Sequence, residues 1–87
     1  MTSKEKRNRW ADEATHVRDL LYWASAALGV VQTTTPGSMI HSDEERRLKD
    51  YLDEIDEELE QISALNPLRF RLIKRVQKFK YECQEAV

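Results

Sequence analysis

Between Leu20 and Val31 the chain carries no charge at all, in a sequence where 34% of residues are Asp, Glu, Lys or Arg. The stretch reads Leu-Leu-Tyr-Trp-Ala-Ser-Ala-Ala-Leu-Gly-Val-Val. Wound as a helix it spans ~18 Å, against ~30 Å for the hydrocarbon core of a bilayer. It does not cross a membrane, and it must be sheltered by protein. What can shelter it is limited by size. With 87 residues the chain forms one domain, and a domain this short buries only ~60–65% of the surface its unfolded form exposes.

The pattern around this stretch is helical. Trp10, Ala14, Val17, Leu21, Ala24, Leu28 and Val31 recur at alternating steps of four and three, one face of an α-helix. From Leu20 a second stripe runs beside the first: Leu20, Trp23, Ala27 and Val30. The apolar surface therefore widens toward Val31 until it nearly encircles the helix, and such a helix needs cover on every side. Ser25 and Gly29 would let a neighbouring backbone come close. The spacing predicts a helix over 3–31, with Thr2 and Glu5 as a capping box.

A loop over 32–42 follows. Thr33, Thr34 and Thr35 are poor helix formers, and Pro36-Gly37 fits the central positions of a type II turn. Met39 and Ile40 are expected to pack back onto the end of the bundle. Ser42 with Glu45 reads as a capping box, placing three carboxylates in the first turn of a helix over 43–65. Its seam is Leu48, Leu52, Ile55, Leu59 and Ile62, flanked by Tyr51 and Leu65. Asn66-Pro67 suits an N-cap followed by a first helical residue. The stripe also changes register there, to Leu68, Leu72, Val76, Phe79 and Cys83, so a turn is preferred to a kink and a third helix is expected over 67–86.

The net charge of −2 conceals segregation: residues 1–31 sum to +1, residues 42–65 to −7 and residues 67–87 to +4. Folded back on each other, the acidic second and basic third helices would pair Lys74, Arg75 and Lys78 with Asp50, Asp53 and Glu54. The common sign pattern disfavours slipped packings. At ~1.5 Å per residue the first helix is the longest. Its basic end, Lys4 to Trp10, is expected to overhang.

No catalytic, cofactor or metal-binding arrangement survives inspection. Glu13-x-x-His16 is half of a di-iron bundle motif, but Glu54 and Glu57, which would complete it, fall off the apolar seam. His41 and Cys83 show no ligand spacing. The acidic run Asp53–Glu60 has something of the magnesium-binding helices of all-α nucleotide pyrophosphatases, without the second acidic helix they require. All-α chorismate mutases share the size and helix count, but need inward-pointing Lys and Arg where this chain has none. There is no glycine-rich phosphate loop, and Cys83 reads as a small core hydrophobe. One cysteine permits no disulfide within the chain, which favours a reducing, cytoplasmic setting.

The expected architecture is all-α: a long first helix and an antiparallel acidic/basic hairpin, forming a dimeric bundle with Leu20, Leu21, Trp23, Ala24 and Leu28 at the interface. The expected function is non-enzymatic: an adaptor, inhibitor or assembly factor that binds an unidentified protein. Arg7, Trp10, Asp53 and Glu57 are candidate contacts, and neither cofactor nor membrane is involved. In length and lack of motifs the chain is similar to small accessory proteins of phages and mobile elements, a likeness of type that rests on no shared residues. The alternative is a nucleic-acid binder using Arg71, Lys74, Arg75 and Lys78 together with the basic N-terminal end. Against it stand the acidic helix immediately upstream and a pI of about 5.7.

Overall fold

The computed structural model describes the backbone from Ser3 to Ala86 and the side chains from Arg9 to Glu85. It contains three helices, α1 (Ser3–Thr33), α2 (Met39–Gln61) and α3 (Pro67–Ala86), and no strand among the described residues. The molecule is elongated, 53 × 18 × 17 Å. Thr2 and the side chains of Lys4, Glu5, Lys6 and Arg7 lie outside the described residues, so the first capping box and the Arg7 contact do too.

α1 is the axis of the fold. Ala14, Val17, Leu20, Leu21, Ala24, Ala27, Leu28 and Val31 are all buried along it. They make up the first of the two stripes visible in the sequence from Ala14 to Val31, but only Leu20 and Ala27 of the second, where Trp23 stays exposed and Val30 half-buried. Both α2 and α3 pack more extensively on α1 than on each other. From α2 come Leu48, Ile55 and Leu59, and just beyond it Ile62; from α3 come Leu72, Val76, Phe79 and Cys83. Burying a Leu or Phe side chain contributes ~1.5–3 kcal/mol, so this one cluster is the main source of stability.

The expectation that a second molecule must shelter this stretch is therefore corrected for most of it. Leu20, Leu21, Ala24 and Leu28, expected at a dimer interface, lie in the chain's own core. The reason is geometric. Two helices set on adjacent flanks of α1 cover a far wider arc than a single seam does.

At the end of α1, threonine hydroxyls bond the last carbonyls of the helix. Thr33 Oγ1 donates to Gly29 O at 2.9 Å, and Thr34 Oγ1 donates to Val30 O at 2.7 Å. The Thr35–Ser38 turn then closes through Ser38 N donating to Thr35 O at 3.1 Å, with Gly37 at φ 87°. A positive φ there is what a type II turn demands of its third residue, and glycine supplies it without strain.

α2 starts four residues ahead of the expected cap. Ser38, extended at φ −70° and ψ 157°, is the N-cap, and its Oγ accepts from His41 N at 3.2 Å. Ser42 lies inside the helix, its N–H donating to Ser38 O at 3.0 Å. The Ser42 capping box is thus corrected, and Asp43, Glu44 and Glu45 sit beyond the first turn. The glycine turn delivers the chain to Ser38 already aimed along α2, so the earlier serine caps first. Met39 and Ile40, expected to fold back, stay exposed because they occupy the outer side of that first turn.

At its other end α2 stops at Gln61, not Leu65. Ser63–Asn66 forms a turn closed by Asn66 N donating to Ser63 O at 3.0 Å, and Leu65 is exposed at its tip. Asn66 caps α3: its Oδ1 accepts from Leu68 N at 3.0 Å, with Pro67 as the first helical residue. The chain breaks between the helices, as the change of register requires, but the turn lies at Ser63–Asn66, just ahead of Pro67.

Candidate interaction surfaces

Four surfaces carry side chains that could meet another molecule. The first is the outer face of α3. Its apolar stripe faces α1, which leaves Arg71, Lys74, Arg75 and Lys78 on the solvent side, all exposed. None of the four forms an ion pair among the described residues. The expected pairing with Asp50, Asp53 and Glu54 is corrected. Among the described residues the one ion pair joining α2 to α3 is Lys80 with Asp56, at 2.7 Å. Arg69, also turned toward α2, donates instead to the backbone carbonyl of Leu59 at 3.3 Å. Arg69 and Lys80, each one position after an inward residue, reach α2, whereas those at 71, 74, 75 and 78 lie away from it. Phe70 and Tyr81 are exposed among these cations, and Lys74 Nζ sits 4.6 Å above the Phe70 ring.

The second is the outer face of α2, where Asp50, Asp53, Glu54 and Glu57 are exposed. Glu54 turns toward α1, and its Oε1 lies 3.5 Å from His16 Nε2, with Glu58 Oε1 at 3.9 Å. Glu13, the other member of the Glu-x-x-His motif, is committed elsewhere. Its Oε2 accepts from Asn66 Nδ2 at 2.9 Å and from Ser63 N at 3.3 Å. Among the described residues no three His, Cys, Asp or Glu side chains converge to hold a metal ion.

The third is an open groove of about 920 Å³ between α2, from Ser42 to Asp56, and the last turns of α3. Leu48, Leu52 and Cys83 lie along it. Its charged edges balance: Glu45, Asp53 and Asp56 against Arg46, Lys49 and Lys80. Burial pushes the Cys83 thiol up from its ordinary pKa, and the neighbouring Glu82 carboxylate adds to the shift. A thiol held neutral in this way is a poor nucleophile.

The fourth is the uncovered side of the charge-free stretch. Tyr22 is 74% exposed and Trp23 49% exposed, and Ser25 and Ala26 are also exposed. Trp23 packs on Tyr51 of α2 in a tilted arrangement with ring centroids 6.4 Å apart. Of the five interface residues expected from sequence, Trp23 alone stays on the surface. Trp10 is half-buried where the Ser63–Asn66 turn meets α1, and its carbonyl accepts from Asn66 Nδ2 at 3.0 Å. From there the α1 backbone runs on to Ser3.

Sequence reasoning missed one buried polar cluster. His41 is buried at the start of α2, its Nε2 donating to Glu45 Oε1 at 2.8 Å and its Nδ1 lying 3.1 Å from Thr34 Oγ1. The spacing His41-x-x-x-Glu45 was a usable signal for the helical pair. Nothing local indicated Thr34.

No family model matches the chain, and no curated protein or solved structure matches it either. No helix among the described residues is long and apolar enough to cross a membrane.

Proposed function

We propose that this chain is a non-enzymatic binding module, an adaptor, inhibitor or assembly factor that works as a homodimer and engages a protein partner through its charged helical faces. One observation carries the reading: Arg71, Lys74, Arg75 and Lys78 stand exposed on α3 with no ion pair among the described residues. Four long cations kept off a neighbouring acidic helix leave α3 ready for an anionic surface elsewhere. Phe70 and Tyr81 add aromatic area of the kind concentrated at protein interfaces. An acidic protein surface fits better than a polyanion, since the exposed carboxylates of α2 would repel a long phosphate backbone at close range.

A second reading has its own support. Aromatics interleaved with cations along one helix form a stacking and phosphate-contacting surface for nucleic acid.

The test is charge reversal with Arg71→Glu and Lys78→Glu together. Both side chains are exposed, so the fold should survive. For the protein-binding reading, affinity capture from the source cells should recover a partner with the wild type and lose it with the double variant. If capture recovers no protein, that reading fails. Binding to single- or double-stranded nucleic acid that weakens steeply with salt and disappears in the double variant would establish the second reading instead.

A further inference from the structure

We infer that the uncovered face of α1, from Arg18 to Thr33, is the seam on which a second copy of this chain docks, with the two α1 helices antiparallel. The inference rests on the dimeric part of the functional reading and relocates its interface. It starts from what α2 and α3 leave bare. With the buried stripe of α1 turned inward, its outward side between Asp19 and Thr33 presents Tyr22, Trp23, Ser25, Ala26, Gly29 and Val30 and not a single charge. Elsewhere the outer surfaces of the molecule are dense with Asp, Glu, Lys and Arg. A contiguous apolar area rimmed by polar residues marks an interaction site. Ile40 extends it: it precedes Tyr51 by eleven residues, about three helical turns, and so lies on the same side of α2 as the ring that meets Trp23.

The face is complementary to itself. Tyr22 is a projecting ring, whereas Gly29, two turns on along the same side, is a dent: a Cβ built there would meet no atom within 4 Å. A two-fold axis passing between Ser25 and Ala26 sets Tyr22 of each copy over Gly29 of the other. That reciprocal contact is what a two-fold interface requires. The same axis brings Arg18 to Thr33, at the carbonyl end of the opposing helix. That end carries partial negative charge and has no basic residue of its own in the last turn. Asp19, exposed beside Arg18, comes to that end as well and offsets the gain, so the antiparallel choice rests on shape, with no charge along the seam between the two ends. A parallel pair would stack ring on ring and dent on dent.

The area sets the strength. Tyr22, 74% exposed, is the large contributor, since Trp23 is already half-covered through its contact with Tyr51. The seam therefore falls below ~1,200 Å² in total, at the low end of specific interfaces, where association is weak and depends on concentration.

The test is sedimentation velocity over a range from about 1 μM to about 1 mM, a span that brackets millimolar-to-micromolar dissociation constants. The wild type should shift from monomer toward dimer as concentration rises. Ala26→Glu should hold it monomeric across the range, since two carboxylates then meet at the axis, and its helical circular dichroism should match the wild type. Gly29→Leu fills the dent and should weaken association at least tenfold while preserving the fold. Arg71→Glu with Lys78→Glu should leave the dimer unchanged, which separates the seam from the α3 surface. A wild type that stays monomeric throughout overturns both the seam and the dimeric reading. A dimer that persists unchanged in Ala26→Glu overturns the seam alone.

Discussion

The side-chain amide of Asn66 donates to the carboxylate of Glu13 across 53 positions of sequence, at 2.9 Å. This contact fixes where the α2–α3 turn meets α1. Asn66 is only 2% exposed and uses both ends of its amide: Nδ2 also reaches Trp10 O, and Oδ1 caps α3. Asn66→Ala should cost ~2–3 kcal/mol, combining a lost cap with buried partners left unsatisfied. Asn66→Asp should be no milder, although Asp caps helices as well as Asn does, because it sets a second carboxylate against Glu13. Thermal unfolding of the two variants decides this. An Asn66→Asp protein as stable as the wild type would show that the contact does not hold the turn.

Ala24 and Ala26 are two residues apart on one helix and should respond oppositely to the same substitution. Ala24 is fully buried against the other two helices. Ala24→Glu should therefore unfold the chain, since a lone buried carboxylate costs more than a domain this small can offset. Ala26 is exposed, and Ala26→Glu should keep native helicity. Circular dichroism at 25 °C separates the two outcomes.

Thr34 joins the end of α1 to the start of α2 through His41. Thr34→Val keeps the shape and removes the hydroxyl that bonds Val30 O and meets the His41 ring. A loss of ~1–2 kcal/mol is expected from urea unfolding. His41→Ala should lose more, because it also vacates buried volume and frees Glu45. The two losses should combine non-additively, as expected of residues in contact.

Cys83 should react slowly with a thiol reagent at neutral pH in the folded protein, and at the rate of a free thiol once unfolded in urea. Burial first, and Glu82 second, raise its folded pKa. The unfolded chain therefore gives up this proton more readily than the folded one. The thiol costs no stability below its ordinary pKa of ~8.5. Stability falls as pH rises through that value and on to the raised folded one. Cys83→Ala should lack this alkaline loss, and the difference between their unfolding curves from about pH 8 to 10 reports it.

Lys80 and Asp56 test how much the opposite charges of α2 and α3 matter. The pair is close, at 2.7 Å, but partly solvated on both sides. Lys80→Ala should cost no more than ~1 kcal/mol. A much larger loss of melting temperature would mean that charge pairing, and not the apolar cluster on α1, holds α3 in place.

Much of this fold was legible in the residues themselves. The seams Leu48–Ile62 and Leu68–Cys83 face inward much as their spacing requires, although Leu52 and Leu68 are only half-buried. Pro36-Gly37 turns the chain, and Asn66-Pro67 starts α3, although α2 ends at Gln61, ahead of that dipeptide. These features depend on helical period, φ preference and local hydrogen bonding, which operate within a few residues. The start of α2 was misread because two serines four residues apart both resemble caps, and the choice between them depends on the direction in which the glycine turn delivers the chain.

What the sequence determined by itself is that Leu20–Val31 needed covering on most of its circumference, and that charge was sorted helix by helix. Only the tertiary structure decided what does the covering. α2 and α3 settle on adjacent flanks of α1, so Leu20, Leu21, Ala24 and Leu28 become core, while Tyr22, Trp23 and Ala26 stay bare. The same placement turns Arg71, Lys74, Arg75 and Lys78 away from the acidic helix that composition suggested they would meet. A periodic pattern specifies which face of a helix is buried. Which neighbour lies against which part of that face depends on crossing positions fixed by distant contacts such as Asn66 with Glu13.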